Sequence, residues 1–188
     1  MQTIAQPGSA EQTINKSRFI AAAEHAADER AALTCIARLA NNYRDASHIA
    51  FALRIKTSQG VIQRFNDAGE PSGTAGKPIL QFLEGRDLIN VCVAVVRYYG
   101  GINLGTGGLA RAYGGTAKQA IESARLIPYV EMKKLHLRLD YANFDIFTRE
   151  LARINGHILD KQFGEYIDVL VNLPADEIEP VRQRFGRA

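Results

Sequence analysis

The chain has 188 residues, 46% of them hydrophobic and 23% charged. That is enough apolar material for one domain or two small ones, and it excludes disorder as the default state. A formal net charge of +3 is too small to mark a strong non-specific nucleic-acid binder, and no apolar run approaches the roughly 20 residues of a membrane span.

The first nineteen residues lack the basic-then-apolar order of a secretory signal. Ser17 to Ala23 reads as a strand. Asp28 to Tyr43 reads as a helix, with Leu33, Ile36, Ala37, Leu39 and Ala40 on one stripe and acids in its first turn. His48 to Lys56 alternates, with Ile49, Phe51, Leu53 and Ile55 on one side. Gly60 to Phe65 is predicted to pair with it as a hairpin across Thr57–Gly60. Asn66 to Gly76 is a loop rich in glycine, and Pro78 to Glu84 a short helix. Leu88 to Tyr98 is the most apolar strand, and its unbroken apolar run predicts cover on both faces. Thr106 to Arg125 is a second long helix. Residues 126–132 are expected to be a linker.

A second unit is expected over residues 133–188. Lys133 to Asp140 alternates as a strand, and Ala142 to Ile154 is an amphipathic helix stopped by Asn155-Gly156. His157 to Phe163 and Tyr166 to Leu173 form a strand pair, and Asp176 to Phe185 is a last helix. This βαββα order is a ferredoxin-like split βαβ without its fourth strand, so the domain is either abbreviated or leaves an edge for something else to cover. The charge divides with the units. Residues 1–125 hold 14 Lys and Arg against 10 Asp and Glu, whereas residues 126–188 hold 9 against 10. Cys35 and Cys92 show no paired spacing and sit in apolar surroundings, which predicts buried free thiols and a cytoplasmic location.

The chemistry concentrates in Val91 to Thr116, where an apolar strand runs into a glycine-dense loop and then a helix. Such an order points backbone N–H groups at an anion. Two standard phosphate motifs fail. Gly76-Lys77 is followed by Pro78 rather than a hydroxyl residue, so there is no Walker loop. Gly105, Gly107, Gly108 and Ala110 fit the loose dinucleotide pattern, but Tyr99 to Leu104 separate them from their strand. Tight turns and close helix–strand packing are a purely structural reading of the same glycines. Against it, the loop is interleaved with Arg97, Tyr98, Tyr99, Asn103 and Arg111, which bind anions and stack. The loop at Asp67 to Lys77 adds Asp67, Glu70, Ser72, Thr74 and Lys77, and His48 stands beside it. A triad of Ser72 or Thr74 with His48 and Asp67 is not required by any spacing. His25, His136 and His157 are scattered without metal-ligand spacing, and no metal or cofactor is expected.

Asp67 to Pro78, DAGEPSGTAGKP, and Arg97 to Tyr113, RYYGGINLGTGGLARAY, resemble the signature of the IMPACT family in its bacterial YigZ-like branch. Lys16 to Ile20 and Ala46 to His48 match its lead-in segments, and the resemblance covers about residues 14–125. It implies an α+β chain: an N-terminal domain similar to the second domain of ribosomal protein S-five, plus a small ferredoxin-like domain similar to one in elongation factor G. Eukaryotic relatives regulate translation, and RNA or the ribosome is the partner the resemblance implies for the bacterial branch. Where the family carries an acidic pair this chain has Asn66-Asp67 and then Ala68, which weakens any two-carboxylate or metal-based mechanism. Three functions stay open. They are RNA or ribosome binding through a basic and aromatic cleft, catalysis on a small phosphorylated or acidic ligand at Gly105–Gly108, and protein–protein adaptation through the second unit. Binding ranks above catalysis, because no catalytic constellation is complete.

Overall fold

The structure, a computed structural model, describes residues 1–186. Arg187 and Ala188, the end of the expected second domain, lie outside the described residues. The chain forms two compact units, Met1–Tyr129 and a second beginning at Val130. Both are mixed α+β.

The first unit runs β1 (Gln2–Gln6), β2 (Gly8–Ile14), β3 (Ser17–His25), α1 (Glu29–Asn42), β4 (His48–Thr57), β5 (Gly60–Asn66), α2 (Gly76–Gly85), β6 (Val91–Tyr98), α3 (Gly105–Ser123) and β7 (Arg125–Pro128). Its main sheet has the order β2-β3-β6-β4-β5, antiparallel throughout. β3–α1–β4 is therefore a split βαβ, with β6 inserted between its strands. This is the architecture of the second domain of ribosomal protein S-five. β6 is central, and Val91 to Val96 are all buried, as a run with two covered faces must be.

The two faces of the sheet carry separate cores. Phe19, Ala21, Ala50, Ala52, Val93 and Val95 pack with Leu83 of α2 and with Leu109, Tyr113, Ala117 and Ile121 of α3. Leu53, Ile55 and Cys92 face the other way, with Ala32 and Ile36 of α1. The Asp28 carboxylate accepts from the Ala31 amide at 2.7 Å and caps α1.

The N-terminal segment departs from expectation. β1 and β2 are strands that no strong alternation announced. Arg125–Pro128, expected as the end of a helix at Arg125 and a linker from residue 126, is a strand because it pairs antiparallel with β1, from Gln2–Pro128 to Ile4–Leu126. Its partner lies more than a hundred residues away in sequence, and no local pattern reports such a pairing.

The second unit runs β8 (Met132–Leu139), α4 (Tyr141–Arg153), β9 (His157–Phe163), β10 (Ile167–Pro174) and α5 (Ile178–Phe185), the last preceded by a 3₁₀ turn at Ala175–Glu177. The sheet order is β8-β10-β9, which is a ferredoxin-like arrangement with three strands among the described residues. Leu135, Leu137 and Leu139 alternate onto the helical face with Val169, Val171 and Leu173, and Phe147, Leu151, Val181 and Phe185 cover them. Asp140 caps α4 by accepting from the Asn143 amide at 2.8 Å.

Candidate functional site

β6 alternates, so Arg97 emerges on the α2–α3 face of the sheet and Tyr98 on the α1 face. Arg97 is 4% exposed and Glu70 8%. Arg97 Nη1 donates to Glu70 Oε1 at 2.6 Å, and Nη2 donates to Ser17 Oγ at 3.3 Å. The Tyr113 hydroxyl donates to the same Oε1 at 2.7 Å. Burial and this hydrogen bond push the Tyr113 phenol well above its ordinary range, so it stays a donor. The guanidinium lies over the rings of Phe19, at 5.6 Å, and Tyr99, at 5.2 Å. Its buried Nε has no hydrogen-bond partner. A charged pair out of water needs such hydrogen bonds and ring contacts around it, and here all but Nε are supplied.

His48 begins β4 on the same face. Its Nδ1 lies 2.8 Å from the Ala68 carbonyl, a contact in which a ring N–H donates. Nε2 is therefore an acceptor in the neutral ring, 3.9 Å from Glu70 Oε1.

Asp67 organises its loop and is not a free carboxylate. It accepts from the amides of Gly73 at 2.8 Å, Ala75 at 3.0 Å and Gly76 at 2.8 Å, and so satisfies the start of α2, where Ala75 has no side chain to do so. Burial alone would raise its pKa, but these amides and that of Lys77 outweigh it and hold the carboxyl below the usual range. The Thr74 hydroxyl is buried and donates to the Pro71 carbonyl at 2.6 Å.

The second loop closes onto the first. Gly100 passes so near β3 that a Cβ there would sit 2.0 Å from the Lys16 carbonyl oxygen. Gly105 takes φ +68°, a left-handed conformation that suits glycine, and turns the chain into α3. Leu104 precedes it and offers no side-chain cap, so the first-turn amides of a 19-residue helix are left for solvent or a ligand.

These pieces line one open cleft of about 460 Å³. Its lining is His48, Glu70, Pro71, Arg97, Tyr99, Asn103, Leu104, Gly105, Thr106 and Leu109. Tyr99 is 47% exposed, and its hydroxyl donates to Asn103 Oδ1 at 3.1 Å.

Other sequence-selected residues lie elsewhere. Tyr98 donates to Asp45 at 2.7 Å on the opposite face of the sheet. Ser72 and Lys77 are exposed and do not line the cleft. Gly108 and Arg111 line a separate depression with Gln12 and Asn15, and Gly107 is exposed in the first turn of α3. Arg97 is not a free cation, because it is buried and paired. Tyr113, Ser17 and Phe19 complete its surroundings. Only Tyr113 could have been found in the sequence, since a tyrosine on the buried stripe of a helix needs a partner for its hydroxyl. Among the described residues, no group of three or more His, Cys, Asp or Glu could hold a metal ion, and no helix is long and apolar enough to cross a membrane.

Comparison with known proteins supplies the context. The Impact N-terminal domain matches residues 15–121. The Escherichia coli protein named IMPACT family member YigZ is 34% identical over 175 residues, 93% of this chain and 86% of that one. A Thermus thermophilus protein, named IMPACT family member in pol 5'region, is 41% identical over 143 residues, 76% of this chain and 72% of that one. Among solved structures, the crystal structure of a hypothetical protein superposes with a TM-score of 0.73 at 32% identity, covering 97% of this chain and 89% of that one.

Proposed function

The chain belongs to the IMPACT family, and on that premise we propose that its first unit is a translation-associated binding module that takes RNA, or the RNA of a ribosomal surface, in the cleft between the Glu70 loop and the start of α3. Translation is the setting that the family resemblance implies. The observation that carries the reading is a half-exposed aromatic ring, Tyr99, stacked on a buried guanidinium beside uncapped helix amides. A base stacks on the free side of Tyr99, and a phosphate meets the first turn of α3. Arg97 acts from behind: held by Glu70, it fixes the ring. Arg111 and Lys77, exposed outside the cleft, meet the flanking phosphates of a longer strand.

The test is fluorescence anisotropy with a labelled single-stranded RNA across a salt series. Binding should weaken linearly in log–log form. Tyr99→Ala should lose about 1–3 kcal/mol of binding, with unfolding unchanged. No binding at low salt, or full binding by Tyr99→Ala, would overturn the reading.

The cleft volume favours a second reading, since about 460 Å³ suits a small phosphorylated ligand. His48 Nε2 would then be its acceptor. Thermal stabilisation by a mononucleotide, with no RNA binding, would select it.

A further inference from the structure

The sheet of the second unit ends in two edges of different character. On β9 the register with β10 slips between Leu170 and Val171, which leaves a bulge. The Asp160 carboxylate accepts from the Lys161 amide at 2.9 Å. A bulge, an edge lysine and a side chain occupying a backbone donor are all devices that blunt an edge.

β8 has none of the first or third. It pairs with β10 without a break over all eight residues, from Met132–Pro174 to Leu139–Ile167. Leu135, Leu137 and Leu139 are buried in one core with residues of α4 and α5, which anchors the strand along its length. Among the described residues no strand pairs with its other side. A regular row of N–H and C=O groups on a fixed strand is a template for one more strand.

The side chains say which strand. On the face away from the helices, β8 presents Lys134, His136 and Arg138. Asp168 answers two of them, Arg138 Nε at 3.0 Å and His136 Nε2 at 3.9 Å, while Lys134 stands opposite Asn172. A second β8 laid against the first would set these basic residues against one another, and like charges across strands repel. An acidic strand would meet opposite charge at Lys134 and at the Arg138 guanidinium. On the helical face the neighbours are Leu135, Leu137 and Leu139, which favour apolar partners.

We infer that the β8 edge takes up an extended segment of a partner protein, with alternating apolar and acidic residues, as a fourth strand of the second unit. None of its residues lines the cleft of the first unit, and the inference does not depend on the RNA reading.

Amide hydrogen exchange on the full chain tests it. The chain is extended at its C-terminus by a flexible Gly-Ser linker and a seven-residue segment alternating valine and glutamate, so that tethering supplies a high effective concentration. Amides of residues 132–139 should exchange about tenfold more slowly than in the unextended chain, and a valine–lysine segment should leave them unchanged. Lys134→Glu/Arg138→Glu should reverse that preference. Unchanged exchange in β10 and α4 of this variant verifies that it is folded. Three results would overturn the inference. The first is no protection by the valine–glutamate segment. The second is equal protection by the valine–lysine segment. The third is protection of β8 in the unextended chain by oligouridine or by raised protein concentration, which would assign the edge to RNA or to a second copy.

Discussion

Replacing Glu70 with alanine isolates the chemistry beneath the cleft. The substitution leaves the Arg97 guanidinium buried without its counter-ion and the Tyr113 hydroxyl without its acceptor. The side chains of Arg97 and Glu70 are 5% and 4% exposed, so water cannot take over either role without opening the fold. Breaking a buried pair from one side costs about 3–5 kcal/mol. That is a fifth or more of the roughly 5–15 kcal/mol that holds a typical domain. Because the chain has two units, the loss is best read from hydrogen exchange of the Val93 and Val95 amides in β6, which open only with the first unit. Glu70→Gln should lose less, since it keeps an acceptor for Tyr113. The double substitution Glu70→Met/Arg97→Met should recover the part of the loss that comes from the unpaired guanidinium, because apolar residues of similar volume need no partner, while the Tyr113 hydroxyl still lacks its acceptor. A loss below about 1 kcal/mol for Glu70→Ala, the range of an exposed pair, would refute the argument. So would a double variant no more stable than the single one.

Three further outcomes follow from the geometry. Asp67 is depressed in the folded state, so its stabilisation is complete above its unfolded value of about 4 and is lost as pH falls through the lower folded value. Asp67→Asn should therefore flatten the acid limb of stability against pH, measured by circular dichroism. Gly100→Ala forces a Cβ against the Lys16 backbone and should cost about 1–3 kcal/mol in chemical unfolding. Burial pushes the Cys92 thiol up to about 12, so iodoacetamide at pH 8 should leave it unmodified in the native chain and label it fully in denaturant.

Much of the fold was legible because its signals are local. The alternation of β4 and β8, the apolar run of β6 and the apolar stripes of α1 and α4 each occupy a few consecutive residues. β1, β2 and β7 escaped because QTIAQ, GSAEQTI and RLIP carry little alternation, and their pairing partners set their structure. The site divides in the same way. Glycine density announced both loops, and His48, Glu70, Arg97, Tyr99, Asn103 and Gly105 line one cleft. The roles within it were not legible. Whether Arg97 is free or buried depends on Tyr113, Ser17 and Phe19, which reach it only through tertiary packing. The strand parity that sends Tyr98 to the opposite face could have been read from the alternation beside it.

The insertion of β6 between β3 and β4 also sets an order of events during synthesis. β3 and β4 share no backbone bonds and meet only through β6. The hairpin of β4 with β5 can close as soon as it leaves the ribosome, but the sheet must wait for Val91–Tyr98. β1 waits longer still, because Thr3 pairs with Ile127. At roughly 5–20 residues per second, the first strand made is left without its partner for about 6–25 s, and it seals the unit only when nearly all of it has emerged.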